Sequence, residues 1–295
     1  MSSTQNQFSV RFWGVRGSIA CPGPETVRYG GNTPCLEMQV AGERLIFDGG
    51  TGLRVLGQHL LSQLPTSGHL FFTHSHWDHI QGFPFFVPAF IKGNKFQIYG
   101  AVSPNGATIK QRLNDQMLHP NFPVPLQIMG AQLEFNDIQI GEVVQIGEVM
   151  VENAVLQHPG EAIGYRVSWK NFAVAYISDT EHFEDRLDPN VQALARNADI
   201  MIYDATYTNE EYYSETTSKR GWGHSTWEEA VKAAKAAGVK KLVIFHHDPL
   251  HNDDFLDSVG QAVKAEFPDS LMAREGMIIH LGDSEPVVVL EKPED

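Results

Sequence analysis

Short runs of β-branched and aromatic residues, bounded by Gly, Pro and Asn, alternate along the chain with stretches in which apolar residues recur at helical spacing. The pattern therefore predicts both sheets and helices. The predicted strands are 8–13, 35–40, 44–47, 69–73, 95–100, 131–135, 149–156, 162–169, 172–178, 199–204, 241–245, 277–281 and 286–291. The predicted helices are 53–64, 107–118, 188–197, 226–237 and 254–266.

Composition narrows the class of protein. With 295 residues, of which 42% are hydrophobic, the chain can bury a sizeable core. No apolar run approaches the ~18 residues of a membrane span, and the first residues lack the charged-then-apolar order of a signal peptide, so we expect a cytoplasmic protein with no membrane partner. Two cysteines, Cys21 and Cys35, are too few for a disulfide framework and predict buried, inert thiols.

The formal net charge of −14 and the pI near 5.3 bear on the kind of partner. Proteins that bind long polyanions usually carry a basic footprint, so the charge disfavours nucleic acid and leaves open only a local basic patch. The 13 histidines are the compositional feature that points to chemistry, because many of them stand where structure alone does not require them.

Six predicted strands run directly into a residue that can bind a proton or a metal ion. These residues are Asp48, His74, His158, Asp179, Asp204 and His246. Each one alone has an ordinary explanation, because Asp at a strand end often caps a turn and a single His is usually a hydrogen-bonded surface or core residue. Six together indicate a functional edge, since strand ends place side chains on a rigid support.

The stretch FFTHSHWDHIQG concentrates this chemistry in one turn. Side chains alternate along an extended segment, so His74 and His76 point to the same side and offer two nitrogens to one metal ion. Asp78 and His79 follow where the chain turns, and they offer an oxygen and a nitrogen to a second ion. The alternative is a solvated turn whose histidines share no ligand.

The motif THSHWDH resembles the HxHxDH signature of the metallo-β-lactamase fold superfamily, and the similarity runs over most of the chain. LIFDGGTG resembles the first motif of that superfamily, His158 the third, SDT at 178–180 the fourth, and the histidine that ends KLVIFH the fifth. The resemblance implies an α/β fold, a four-layer αββα sandwich, as a single domain over residues 1–295.

Dinuclear members of the superfamily imply a ligand set for two divalent ions. One ion would take His74, His76 and His158, the other Asp78, His79 and His246, and Asp179 would bridge them. Asp48 would hold a ligand histidine by its ring N–H. Nitrogen and oxygen ligands suit zinc, and manganese or iron also occupy such sites.

The fifth motif, IFHHDP, offers two histidines in sequence. His246 comes directly after the apolar run and is the predicted ligand. His247 would then either support the ligands from behind or face solvent, with Asp248 as its partner.

Later segments indicate a branch of the superfamily. YDATYTNEEY at 203–212 and RGWGHSTWEEAVKAAKAAGVKKLVIFH at 220–246 resemble the HEAT-like and HST segments of the ribonuclease Z and cyclic phosphodiesterase branch. In GHST, either Ser225 or Thr226 can cap the following helix, with Glu228 or Glu229 completing a capping box. The N-terminus of that helix favours an anion.

The GHST segment is therefore interpreted as a phosphate-binding corner. His224 can donate a proton to a leaving-group oxygen, and Asp204 can orient its other ring nitrogen. Asp78 can take the proton of the attacking water. The alternative is that GHST is only a good helix start.

Two further segments are weaker candidates. WGVRGS and YGGNTPC resemble the glycine-rich opening of phosphodiesterase members, which makes Arg16, Ser18 and Asn32 candidates for substrate contact, although tight turns explain them equally well. The apolar stretch FPFFVPAFI at 83–91 is expected in a core or a subunit interface, and a platform for a nucleobase is the minority interpretation.

The expected function is a dinuclear metal-dependent phosphodiesterase that hydrolyses a small phosphodiester, most simply a cyclic nucleotide or cyclic phosphate, as a homodimer. The alternatives are tRNA 3′-processing endoribonuclease-like activity, a thioester or lactam hydrolase, and a non-enzymatic nucleotide-binding protein. Long tRNA precursors are disfavoured by the acidic balance and by the lack of an obvious Gly/Pro-rich arm.

Overall fold

The computed structural model of the protein describes residues 8–282 and 287–290. The strands among these residues, numbered along the chain, are β1 Phe8–Gly14, β2 Cys35–Val40, β3 Glu43–Phe47, β4 Ser67–Phe71, β5 Lys95–Ala101, β6 Gln132–Ile138, β7 Val144–Ile146, β8 Val149–Leu156, β9 Ala162–Trp169, β10 Phe172–Ile177, β11 Ile200–Asp204, β12 Lys241–Phe245, β13 Ser270–Met272, β14 Met277–Leu281 and β15 Val287–Leu290. The α-helices are α1 Thr51–Leu60, α2 Trp77–Ile80, α3 Ile109–Asp115, α4 Pro189–Ala195, α5 Asn209–Tyr212, α6 Trp227–Ala237 and α7 Asp253–Glu266. Short 3₁₀ turns cover Leu61–Gln63, Phe83–Phe85, Val87–Phe90 and Leu126–Ile128.

The chain forms two compact units. Within the described residues, the first unit contains 8–20, 32–139, 275–282 and 287–290, and the second contains 21–31 and 140–274. The second unit is thus built from two separate stretches of sequence. The prediction of a single domain over residues 1–295 stays a prediction.

The first unit is built on an eight-stranded mixed sheet in the order β15-β14-β1-β2-β3-β4-β5-β6. Strands β3, β4, β5 and β6 run parallel to one another, and the remaining neighbours pair antiparallel. Because β3 and β4 are parallel neighbours, their carboxyl ends meet at the same edge of the sheet. The residues that follow these two ends are Asp48 and the segment that begins with Phe72.

Helix α1 covers this sheet with one apolar face. Its buried residues Leu53, Leu56 and Leu60 recur at helical spacing and join the core of the first unit. Phe83, Phe86 and Ala89 from the apolar stretch at 83–91 are fully buried in the same core. This stretch was expected in a core or in a subunit interface, and most of its residues lie in the core.

The second unit is built on a seven-stranded mixed sheet in the order β13-β12-β11-β10-β9-β8-β7. Strands β10, β11, β12 and β13 are parallel, and β7, β8, β9 and β10 pair antiparallel. Every residue of β11 is buried, which is the expected state for a strand inside a parallel sheet with both faces covered. The carboxyl ends of β8, β10, β11 and β12 point the same way because two antiparallel steps separate β8 from β10.

Helices α4, α6 and α7 pack their apolar faces into one core with this sheet. Ala230, Ala233, Ala234 and Ala237 form the buried face of α6, and small side chains there let the helix approach its neighbours closely. Helix α6 ends at Gly238, which adopts a left-handed conformation with φ of 69°.

The predicted elements are found in the described residues, most with bounds shifted by one to three residues, and residues 286 and 291 of the last predicted strand lie outside the described ones. The short 3₁₀ turns after residue 80 had not been predicted, nor had two α-helices of four residues, α2 and α5, and two strands of three residues, β7 and β13. No helix in 8–282 or 287–290 is long and apolar enough to cross a bilayer. Cys35 is buried, and burial raises the pKa of its thiol, while Cys21 is half-buried.

Candidate functional site

The first unit brings its predicted ligand residues together at the carboxyl end of β4. The imidazole centroids of His74 and His76 are 4.4 Å apart, and those of His74 and His79 are also 4.4 Å apart. His79 Nε2 lies 3.4 Å from Asp78 Oδ2. We call His74, His76, Asp78 and His79 the first-unit cluster. Three of its members are buried, and His76 is exposed at the N-terminus of α2.

Asp48 and Thr73 fix the orientation of two of these rings. Asp48 Oδ2 accepts a hydrogen bond from His79 Nδ1 at 2.9 Å, and Asp48 also accepts from the backbone N–H and the hydroxyl of Thr73. Since the Thr73 proton goes to the carboxylate, Thr73 Oγ1 accepts from His74 Nδ1 at 3.0 Å. Both rings therefore carry their proton on Nδ1 and present the lone pair of Nε2, which is the form that binds a metal ion.

Asp78 accepts a hydrogen bond from the segment that follows β1. The backbone N–H of Ser18 donates to Asp78 Oδ2 at 2.8 Å, so Ser18 contacts the cluster through its backbone rather than its hydroxyl. Asn32 instead accepts the N–H groups of Val15 and Arg16 with its carbonyl, which is the turn-forming role that had been the alternative. Arg16 is fully buried.

The second unit gathers its predicted residues around Asp179. Asp179 Oδ1 lies 3.2 Å from His246 Nε2, and Asp179 Oδ2 lies 3.7 Å from His158 Nε2. Ligand atoms of Asp179, Asp204, His224 and His246 all lie within 4.8 Å of one another. We call these four residues together with His158 the second-unit cluster. Asp179 turns one carboxylate oxygen to each of two histidines, which is the arrangement expected of a bridging ligand.

Asp204 repeats in the second unit the role of Asp48. Asp204 Oδ2 accepts from His224 Nδ1 at 2.8 Å, and Asp204 Oδ1 accepts from the Thr206 hydroxyl at 2.7 Å. Thr206 Oγ1 in turn lies 3.0 Å from His246 Nδ1. The pairing of Asp204 with His224 is the one that the sequence predicted. Burial raises the pKa of the neighbouring Tyr207, whose ring stands edge-on to His224, so that phenol stays protonated.

The remaining histidine of this cluster is oriented by backbone. His158 Nδ1 donates to the carbonyl oxygen of Gly223 at 2.8 Å, immediately before His224 in sequence. At the start of α6 it is Thr226 that caps the helix, because its hydroxyl accepts from the N–H of Glu229 at 3.3 Å. Ser225 instead lies against His182, 3.0 Å from the ring nitrogen Nδ1.

Several site residues adopt a backbone conformation that side-chain-bearing residues rarely take. Ser18, Asp48, Asp179 and His246 have φ of 63°, 61°, 55° and 62°. Such conformations cost of order 1 to 3 kcal/mol each and persist where the surrounding structure enforces them. Three of these residues, Asp48, Asp179 and His246, stand just after the ends of β3, β10 and β12.

The two histidines of the fifth motif have different environments. His246 belongs to the second-unit cluster, whereas His247 Nε2 donates to the carbonyl of Ala273 at 2.9 Å and the ring packs edge-on against Tyr29. His247 is 1% exposed, so the solvent-facing alternative does not hold. Its ring is therefore bonded to the backbone directly after β13.

Sequence reasoning missed Thr73, Thr206 and Glu181. The hydroxyl of each threonine contacts both a carboxylate and a histidine ring. Glu181 accepts hydrogen bonds from backbone N–H groups beside His224. Their place two to four residues beyond a strand end was a weak signal, because Thr and Glu occur there for many reasons.

Comparison with known proteins fits this geometry. The family described as beta-lactamase superfamily domain matches residues 43–247. The chain belongs to this family. The match covers the strand-end motifs from Asp48 to His246, so the predicted metallo-β-lactamase fold and its α/β class are confirmed, and the protein is a hydrolase of that fold.

Relatives of this chain include proteins named ribonuclease Z, and solved structures share its fold. A ribonuclease Z of Archaeoglobus fulgidus is 23% identical over 323 residues, with 93% of this chain and 98% of the relative covered. A diphosphatase of the PhnP family has a similar structure, with a TM-score of 0.67, 16% identity and coverage of 93% and 98%. The Zn²⁺-bound PqqB of Methylobacterium extorquens has a TM-score of 0.69, 15% identity and coverage of 92% and 100%.

The donor sets of both clusters fit divalent metal ions, which the fold family implies. Each histidine other than His76 has an oxygen beside its Nδ1, so Nε2 is the nitrogen available for a metal ion. Asp179 and Asp204 are buried carboxylates beside these rings, and such charges are normally paired or bind a cation. Imidazole and carboxylate together are ligands of Zn²⁺, Mn²⁺ and Fe²⁺.

Proposed function

We propose that this hydrolase is a dinuclear metal-dependent phosphodiesterase that acts on a small phosphodiester, with a cyclic nucleotide or a related cyclic phosphate as its substrate. The observation that carries the proposal is the buried His224–Asp204 pair next to the N-terminus of α6. A general acid beside a helix N-terminus serves a reaction in which a phosphate is bound and an alkoxide leaves.

The proposed metal ligands are seven residues of the two clusters, without Asp204 and His224. One ion would be held by His74, His76 and His158, and the other by Asp78, His79 and His246, with Asp179 shared. When bound, two divalent ions acidify water and neutralise charge on phosphoryl oxygens. The fixed Nδ1 tautomers support this assignment because they remove the need to reorient the rings on binding.

The chain's own residues would then divide the proton transfers. His224 holds its Nδ1 proton on Asp204, which leaves Nε2 to carry and deliver a proton to the leaving oxygen. The Asp204 carboxylate stabilises the imidazolium form of His224 and fixes its direction, as a triad aspartate does for its histidine. Asp78 is the proposed acceptor of the proton from the attacking water.

The negative net charge of the protein supports a small substrate. A net charge of −14 repels a long polyanion, whereas a single phosphodiester carries one charge. The second candidate is endoribonuclease activity on tRNA precursors, which is favoured by similarity to curated proteins named ribonuclease Z over most of their length.

A substrate panel separates the candidates. Purified protein loaded with Zn²⁺ or Mn²⁺ is assayed with cyclic mononucleotides, cyclic dinucleotides, a ribose cyclic phosphate, a tRNA precursor, a β-lactam and a thioester. We expect turnover of a cyclic phosphate. Turnover of the tRNA precursor alone would support the second candidate, and turnover of only the lactam or the thioester would overturn both.

Two substitutions test the division between metal binding and acid catalysis. Asp179→Ala should lose metal and activity together, because two cations repel each other without a shared carboxylate. His224→Ala should lower kcat by on the order of 10² to 10⁴ for alkoxide leaving groups and much less for nitrophenolate, which departs without protonation. An equal loss for both leaving groups in His224→Ala would show that His224 is not the general acid.

We also propose a homodimer, although most of the apolar stretch at 83–91 lies in the core of the first unit. Phe85 is the exception, since it is 53% exposed and packs edge-on against Phe122. Aromatic side chains such as this exposed Phe85 are enriched in subunit interfaces. Light scattering that shows a monomer at all working concentrations would contradict the dimer.

A further inference from the structure

Two consecutive side chains after Asp179 have no part in the proposed mechanism. Glu181 and His182 are each 7% exposed, and a buried carboxylate is costly unless it serves several donors. Both side chains reach the segment between α5 and α6. We call residues 213–223 of that segment the 213–223 loop. It leads directly into His224.

Glu181 bonds the loop at both of its ends. Its Oε1 accepts from the N–H of Gly221 at 2.6 Å and from the hydroxyl of Tyr212, and its Oε2 accepts from the N–H of Gly223 at 2.9 Å. Three donors therefore converge on this one carboxylate. Tyr212 stands before the loop and Gly223 closes it, so the carboxylate fixes the separation of the two ends.

His182 reinforces the same two ends. Its Nδ1 lies 3.0 Å from the hydroxyl of Ser225, and its Nε2 lies 3.2 Å from the hydroxyl of Tyr213. Burial lowers the pKa of His182, so the ring is neutral and offers one donor and one acceptor to these hydroxyls.

The bonds to Gly223 link Glu181 to two functional histidines. The carbonyl of Gly223 accepts the Nδ1 proton of His158, and the next residue is His224. The backbone N–H of Glu181 donates to the carbonyl of Gln157 at 2.7 Å, directly before His158. Glu181 is therefore bonded both to the backbone that carries His158 and to the backbone that receives the His158 ring.

From these contacts we infer that Glu181, with His182 beside it, is a positioning residue for the hydrolytic site: it places the Gly223 carbonyl that orients His158 and holds His224 in register with Asp204. The kinetic part of this inference rests on the proposed phosphodiesterase function. A contact that merely closed a surface loop would not need to reach Gly223, whose carbonyl binds the His158 ring and which directly precedes His224.

The test uses Glu181→Gln, which keeps the size of the side chain. The amide retains an oxygen for Tyr212 and Gly221, but its NH₂ group cannot accept from the N–H of Gly223. We expect kcat for a substrate with an alkoxide leaving group to fall by about 10- to 100-fold, the usual cost of losing a residue that orients a ligand. KM and the metal content should change little.

Glu184→Gln is the matched control. Glu184 lies three residues further along and pairs with Arg220 of the same loop, but its side chain is 54% exposed and, among the residues that the structure describes, bonds no backbone group beside a histidine. This variant should keep the kcat of the wild type. Hydrogen exchange of the amides in the 213–223 loop is measured in parallel and should accelerate in Glu181→Gln only.

The measurements of kcat and of hydrogen exchange distinguish failure of the proposed function from failure of the inference about Glu181. If the wild type turns over no phosphodiester, the proposed function fails, while faster exchange at Gly221 and Gly223 in Glu181→Gln still supports the positioning contact. If the wild type is active and Glu181→Gln changes neither kcat nor exchange, the inference is overturned. It is also overturned if kcat falls equally for alkoxide and nitrophenolate leaving groups together with loss of metal and of thermal stability, because that is a purely structural effect.

Discussion

Asp48 and Asp204 hold their neighbours in the same way, although they stand in different units. Each carboxylate accepts directly from one histidine and, through a threonine hydroxyl, controls a second one: His79 and His74 for Asp48, His224 and His246 for Asp204. One buried acid therefore sets the tautomer of two rings. Replacing either acid with Asn would affect two histidines, not one, because an amide can donate where a carboxylate only accepts.

Gly223 is the position in the site where an added Cβ atom should disturb a ligand histidine most. Its φ is 86°, and a Cβ there would lie 2.3 Å from His158 Nδ1 and 2.4 Å from Cδ of Pro159. We expect Gly223→Ala to displace the His158 ring, lower the metal content measured by elemental analysis, and destabilise the fold by about 1 to 3 kcal/mol.

Gly221→Ala is the control for this prediction. Gly221 has a similar φ of 78°, but a Cβ there meets no atom within 4 Å. The variant carries the same backbone penalty without the clash, so it should keep its metal. Equal loss of metal in both variants would show that loop strain, rather than contact with His158, is responsible.

At the scale of elements, the longer strands and helices could be predicted because they show a hydrophobic period or a continuous apolar run. Helices α2 and α5 and strands β7 and β13 are too short to show any period, and contacts with the rest of the chain determine them. Within the site, the ligand types could be predicted because a metal ion restricts them to His and Asp at strand ends. Thr73, Thr206 and Glu181 could not, since their partners are brought to them by the fold.

Strand β4 makes a testable contribution to the acid sensitivity of the protein. His69 on β4 packs on Tyr99, and burial lowers its pKa despite the opposing effect of the Glu43 carboxylate. The unfolded chain therefore binds a proton at His69 more readily than the native chain does. This favours unfolding progressively as the pH falls through the unfolded value of 6.5 towards the lowered native pKa.

The measurement is the melting temperature as a function of pH in the wild type and in His69→Gln. We expect the melting temperature of the wild type to drop more than that of the variant between about pH 7.5 and about pH 5, the range in which an unfolded histidine titrates. Parallel curves over this range would show that His69 contributes nothing to the pH dependence.

At the scale of the whole molecule, the two clusters predict a stoichiometry. Elemental analysis of metal-loaded protein should give about two divalent ions per chain, since seven residues of the two clusters form the proposed ligand set. Binding should also raise the melting temperature, because ions that bind the native state alone stabilise it. Less than one ion per chain after careful loading would refute the dinuclear site.

The second unit also bears on how the protein can be dissected. Residues 21–31 belong to it, although the first unit supplies the sequence on both sides of them. Within this segment, the backbone of Arg28 donates to Asp253 on α7, and the hydroxyl of Tyr29 donates to Asp257 and accepts from Arg274. A fragment expressed from residue 140 to 274 would lack these partners and leave Asp253, which is 4% exposed, without them. Fragment complementation should therefore succeed only when the piece that contains 21–31 is supplied in trans, and a genetic split at residue 140 would yield two halves that need each other to fold.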